Sequence, residues 1–377
     1  MSIIDFKSHK TPKPIKKIKK LLRILFLIYV FVYFYINYDQ YTPKALSRTL
    51  SQIVSTDSIN TSEIDIIMNR NTKISSFSGG FIKADKDILS FISASGDILL
   101  EIPLLYQNPN IKIGNSTVLA YNSNLYDYQI VSSFGTLFEG TCNSKILNAS
   151  INNEDEYIIV TDEDGYVSGV KMYNSKHEEI FRWSTSKYNI ISAKSEGNTL
   201  ATLCIYREQG EFKSKVILFN IKSGKTISET DLNSKFPLNV YFLQNSNVAI
   251  ILQDGIHIID DKGAILKVVE IPNMRAYNVS DGHNIVYTRE TFDGNTEICI
   301  LDSIGNEVSK LILQEEIIDI EISHNYVYIL TKEDITKFDV YLNEVESNKH
   351  DAGVSDIIIH TNGDVYGVFS NKLIKTP

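Results

Sequence analysis

Cysteine, tryptophan, methionine and proline are all scarce here: three, one, four and eight residues in a chain of 377. Cys142, Cys204 and Cys299 are odd in number, far apart and set in apolar strand-like runs. A disulfide framework of the kind that staples small secreted domains is thereby excluded, and all three read as buried, inert thiols. Histidine is nearly as sparse. His9, His177, His257, His283, His324, His350 and His360 are scattered, with no pair at the i, i+4 spacing of a helical zinc site. No GxxxxGK loop occurs, so nucleotide hydrolysis has no support. Positive charge is missing from most of the chain. Against a net charge of −9, the first 23 residues hold eight basic side chains and a single acid, Asp5, so the remainder carries about −16. Such a body lacks the clustered Lys and Arg that phosphate neutralisation needs, and nucleic acid is set aside as a partner. The sequence marks no catalytic, cofactor-binding or metal-ligating residue, and no cofactor.

What is present begins with Lys7, Lys10, Lys13, Lys16, Lys17, Lys19, Lys20 and Arg23, which run into LLRILFLIYVFVYFYINY at 21–38. At ~1.5 Å per residue this run is roughly 27 Å long, close to the ~30 Å hydrocarbon core of a bilayer. Arg23 lies one turn in and can snorkel to the interface. Tyr38 and Tyr41 sit where an aromatic belt belongs, and the lysine flank places the N-terminus in the cytoplasm. A cleaved signal peptide is the competing reading, with Ala45-Leu46-Ser47 as its site, but that site lies several residues beyond an unusually long, aromatic run. The expected organisation is a basic cytoplasmic tail at 1–20, a single transmembrane helix at 21–38, a linker at 39–62 and a folded domain at 63–377 outside the cell membrane. Within the linker, Ala45, Leu46, Leu50 and Ile53 have helical spacing across 42–57.

From about Lys73 short apolar runs alternate with turns, and almost nothing keeps a helical period, which predicts an all-β domain. A strand, tight turn, strand unit recurs. It reads ILSFISASGDILLEI from Ile88, YQIVSSFGTLFEG from Tyr128, VKMYNSKHEEIFRW from Val170 and VILFNIKSGKTISET from Val216, then IHIIDDKGAILKVVE from Ile256, ICILDSIGNEVSKLI from Ile298 and ITKFDVYLNEVES from Ile335. The turns, near Gly96, Gly135, Lys176, Gly224, Gly263, Gly305 and Asn343, are about 40 residues apart, the period of a four-stranded propeller blade. Each hairpin is expected to form a blade's third and outer strands. Asp254-Gly255, Asp281-Gly282 and Asp293-Gly294 read as turn dipeptides suited to the left-handed region, and Asp162-Glu163-Asp164-Gly165 reads as an acidic β-turn, lacking the later Glu of a calcium loop.

Seven such units are followed by three more strands, VSDIIIH from Val354, DVYGVFS from Asp364 and KLIKT from Lys372. EIDIIM, from Glu63, would supply the missing outer strand and close the ring, removing exposed sheet edges. The expected fold is an all-β β-propeller of eight blades, with seven as the alternative.

NPNIKIGNSTVLAYNSNLYDYQIV at 108–131, YIIVTDEDGYVSGVKMYNSKHEEIFRW at 157–183 and VILFNIKSG after it carry a resemblance. The chain resembles an uncharacterised membrane-anchored bacterial family with a WD40-like or quinoprotein-like β-propeller domain of unknown function. That resemblance implies the propeller and the anchor, and brings no activity, substrate or binding residue with it. Trp183 stands alone, so the Trp-rich blades of a true quinoprotein and the Asp-box turns of propeller glycosidases are both missing.

The expected function is that of a membrane-anchored extracytoplasmic binding or scaffold module for a protein or cell-envelope partner. The alternative is an extracytoplasmic glycan-processing enzyme with acidic residues on the propeller face; two converging carboxyl groups with raised pKa would favour it, and a plugged apolar channel would oppose it. A sensor relaying through the helix would need a separate membrane partner, since a tail of about 20 residues is too short for a signalling domain.

Overall fold

The computed structural model describes residues 24–27, 63–69, 71–232, 236–280, 284–323 and 326–376. Of the expected transmembrane helix only residues 24–27 are described, as a helical turn with exposed side chains. Its remainder, the basic tail, the linker, Asp281-Gly282, His9, His283 and His324 lie outside the described residues. No helix among the described residues is long and apolar enough to cross a membrane.

The described strands form eight four-stranded antiparallel sheets, the blades of a β-propeller. Seven follow chain order: blade 1 at 73–103, blade 2 at 109–141, blade 3 at 146–185, blade 4 at 189–231, blade 5 at 237–270, blade 6 at 274–313 and blade 7 at 319–349. Blade 8 is composite. Asp356–Ile359, Val365–Val368 and Lys372–Lys375 take Glu63–Asp65 as their outer strand, with Ile64 opposite Leu373. The two ends of the domain thus meet in one sheet, as the sequence predicts.

Second strands such as Val118–Asn122, Tyr157–Thr161 and Val248–Leu252 are buried along their whole length. Both faces of a blade pack on neighbours, so these segments read as continuous apolar runs. The core consequently lies between blades. Leu203, Val216 and Leu218 of blade 4 meet Val240, Val248 and Ile250 of blade 5. At the closure Ile64, Tyr366 and Leu373 of blade 8 meet Phe81 and Ile92 of blade 1.

The hairpin turns have a side-chain mechanism. Asp260 Oδ1 accepts the N–H groups of Lys262 and Ala264, and Asp302 Oδ1 those of Ile304 and Asn306. The third residue after each, Gly263 or Gly305, has positive φ. Asn174 and Asp339 build the same loop, and there the left-handed residues are His177 and Leu342, within the turns expected near Lys176 and Asn343. Once the Asx side chain organises the loop, a non-glycine residue is tolerated in it. Asp254-Gly255 differs from expectation. Gly255 starts a strand without positive φ, and glycine is needed because a Cβ would collide with the Val269 carbonyl. Glu163 to Tyr166 is the expected acidic β-turn, closed by Tyr166 N–H on the Glu163 carbonyl, with Gly165 left-handed.

Candidate functional site

The first strand of each blade lines the central channel, and these strands are not equivalent. In blades 3 to 6 the register against the second strand shifts by one residue, leaving Leu147, Ile191, Leu238 and Arg275 unpaired. In blades 7, 8, 1 and 2 it does not shift.

In the bulged arc, neutral polar side chains tie blade to blade. Asn148 Nδ2 donates to the Ile191 carbonyl at 2.8 Å, Ser150 Oγ to the Ala193 carbonyl at 2.7 Å and Ser192 Oγ to Asn239 Oδ1 at 2.6 Å. Asn239 Nδ2 in turn donates to Tyr241 Oη at 2.9 Å. A cavity of about 320 Å³ opens at the carboxyl ends of these strands, lined by Ser150, Asn152, Glu154, Lys194, Glu196 and Tyr241. Burial and the neighbouring Glu154 push the Glu196 carboxyl above its ordinary range.

The opposite arc is charged. The two-residue strand period puts Asp319 and Glu321 on one face of blade 7, and Asp356 begins the first strand of blade 8. A cavity of about 330 Å³ is lined by Ser75, Glu321, Ser323, Asp356 and His360, among others. Burial, then the charges of Asp319 and Asp356, push Glu321 up to about 8, against one opposing hydrogen bond from Asn278. Asp356, exposed at its tip yet ringed by protein, is pushed up to about 7 by burial and by Asp319, with the Ile357 N–H and then Lys73 pulling the other way. Lys112 of blade 2 is lowered, first by burial and then by Lys73. Such a wall can exchange protons near neutral pH and can offer hydrogen bonds and charge of either sign to a polar ligand.

Of the residues lining this arc's cavity only His360 was noted in the sequence, as one of the scattered histidines. The Asp-x-Glu pattern at 319–321 was visible, but its meeting with Asp356 and Lys73 depends on ring order. The other residues that were singled out lie elsewhere. Cys142, Cys204 and Cys299 are free and buried, and burial pushes their thiols up to about 11, 12 and 11. Trp183 packs on Phe219 and Tyr188 between blades 3 and 4. His177 stacks on Phe138, and His360 lies against Phe81 and Tyr366. His257 is buried in blade 5, while His350 meets the carbonyls of Asp351 and Thr331. Among the described residues no three His, Cys, Asp or Glu side chains are grouped so as to hold a metal ion.

Residues 52–376 match a family described as "Family of unknown function (DUF5711)". No curated protein matches the chain. Solved structures similar to it include BamB from Moraxella catarrhalis, at TM-score 0.57 and 9% identity, with 84% of this chain and 98% of that one covered. The computationally designed Ika8 protein gives TM-score 0.62 at 14% identity, covering 84% and 100%. Apo AztD from Citrobacter koseri gives 0.51 at 12%, covering 76% and 88%. At these identities the likeness establishes the fold alone.

Proposed function

The chain belongs to that family of unknown function, and from this premise we propose that it is a non-enzymatic binding or scaffold module, held at the outer face of the cell membrane by the helix at 21–38, whose partner is a protein or a cell-envelope component seated at the channel mouth. The observation that carries the binding role is the cavity of about 320 Å³ at the carboxyl ends of first strands that cross-blade hydrogen bonds hold in place, with a second of about 330 Å³ in the opposite arc. A concave, pre-organised polar surface of this kind suits recognition. The anchor is supported by the seven lysines ahead of an apolar run of membrane length, with Arg23 inside its first turn.

The test is photo-crosslinking in intact cells from Ser75 and Ser150, which line the two cavities, with exposed Lys267 on the outer strand of blade 5 as control. One recurring adduct from the channel positions alone is expected. Adducts equal to those from Lys267, or none, overturn the reading. External protease should remove the propeller from spheroplasts; a protected propeller would refute the placement outside.

A second reading has one observation in its favour. Glu321 and Asp356, pushed up to about 8 and 7, share a cavity and could move protons in glycan cleavage. Turnover of cell-wall glycans that is lost in Glu321→Gln and Asp356→Asn would establish that reading in place of the first.

A further inference from the structure

The backbone N–H of Ile357 is forked. It donates to Asp356 Oδ1 at 2.8 Å and, across the blade boundary, to Asp319 Oδ2 at 3.1 Å. Two carboxyl groups on adjacent first strands therefore crowd a single proton donor. Carboxylates on one donor repel when both are ionised, and burial together with Asp319 pushes the Asp356 carboxyl up against the pull of the Ile357 N–H and of Lys73.

The groups that face the pair do not cancel it. Glu321 adds a third carboxyl from the same strand as Asp319, and Asn278 of blade 6 offers only a neutral amide. Lys73 of blade 1 is the lysine that acts on Asp356, with Lys112 of blade 2 beside Lys73. The boundary also belongs to the smallest blade, built from three four-residue strands and one of three residues.

We propose that Asp319 and Asp356 form a proton-operated clasp where the ring closes: a shared proton holds the first strands of blades 7 and 8 together, and its loss parts them and widens the cavity beside Glu321. This regulates the cavity proposed above as a binding surface, but its test needs no ligand, so either proposal can fail while the other stands. The raised Asp356 carboxyl places the transition near pH 7, between the two values tested below. For carboxyls whose folded values lie above their ordinary ones, stability is full below the ordinary range and is lost as pH rises through the folded values.

Amide hydrogen exchange of the full-length chain at pH 6 and 9, corrected for intrinsic base catalysis, tests the clasp. Peptides covering 319–323 and 356–360 should lose about tenfold in protection at pH 9, one pKa unit's worth, while peptides covering 189–196 and 237–242 keep theirs. Asp356→Asn and Asp319→Asn should each abolish the loss, and Asp319→Asn serves alone if the other variant does not fold. A uniform loss across all blades, or a local loss that persists in the Asn variants, overturns the proposal.

Discussion

Blades 3 to 6 and blades 7, 8, 1 and 2 wall the same channel with opposite chemistry. In the first arc each channel strand is bulged, and Asn148, Ser150 and Ser192 reach the next blade with neutral hydrogen bonds, Ser192 on Asn239. A bulge twists its strand and re-aims the side chains that follow, which fits these short cross-blade bonds. In the second arc the strands pair without a shift, and the wall carries Asp319, Glu321, Asp356, Lys73 and Lys112. One arc is therefore tied by neutral bonds, with the charges of Glu154, Lys194 and Glu196 kept to the rim of its cavity. The other carries carboxyls that burial and their neighbours push up toward neutral pH, and it contains the blade assembled from both ends of the domain. Rigidity and responsiveness are divided between two sides of one ring.

The largest effect should come from attacking the closure. Removing residues 63–68 strips Ile64 and Ile66 from the cluster with Phe81, Ile92, Tyr366 and Leu373 and leaves Lys372–Lys375 as an open edge. Loss of the single cooperative melt, with aggregation, is expected in calorimetry. Next in size are paired core truncations. Leu203 in blade 4 and Leu373 in blade 8 are both fully buried, and replacing either with Ala should cost about 3 kcal/mol by denaturant unfolding. Equal losses would confine the contrast to the channel. A much larger loss at Leu373 would extend it into the apolar core of blade 8.

The hairpins, the eight-blade count and the closure by Glu63–Asp65 were legible because each rests on local rules: period-two apolar strands, Asx and Gly turns, and a missing fourth strand. The turns near Lys176 and Asn343 were legible as turns, but not that His177 and Leu342 are their left-handed residues, since Asn174 and Asp339 rather than a glycine organise those loops. The channel wall was not legible. Asp319 and Asp356 belong to different repeats, and only the angular order of the ring makes them neighbours. Nor does any local pattern mark Leu147 or Ile191 as the extra residue of a bulge, because each sits in an ordinary apolar run.

A smaller effect separates the arcs directly. Asn239→Ala removes the acceptor of Ser192 Oγ and the donor to Tyr241 Oη. A loss of about 1–2 kcal/mol is expected at pH 5 and pH 9 alike, since neither partner carries charge in that range. A loss confined to one pH would mean that the neutral arc is coupled to the charged one.

The smallest effect should have the opposite sign. Glu321→Gln removes a carboxyl that burial, Asp319 and Asp356 push up to about 8. Its folded value lies above its ordinary one, so the penalty is absent only below the ordinary carboxylate range and is still small at pH 5. The penalty accrues as pH rises and is complete above about pH 8. Glutamine keeps the shape and the hydrogen-bonding capacity and cannot ionise. The variant should come close to wild type at pH 5 and be more stable at pH 9 by about 1 kcal/mol, well below a full conversion of the shift, because the carboxyl is partly exposed and solvent screens its charge. The measurement is the urea midpoint at each pH. A Glu321→Gln chain destabilised at pH 9 would mean that the ionised carboxylate is held by Lys73 or another cation, and the charged arc would then be as fixed as the neutral one.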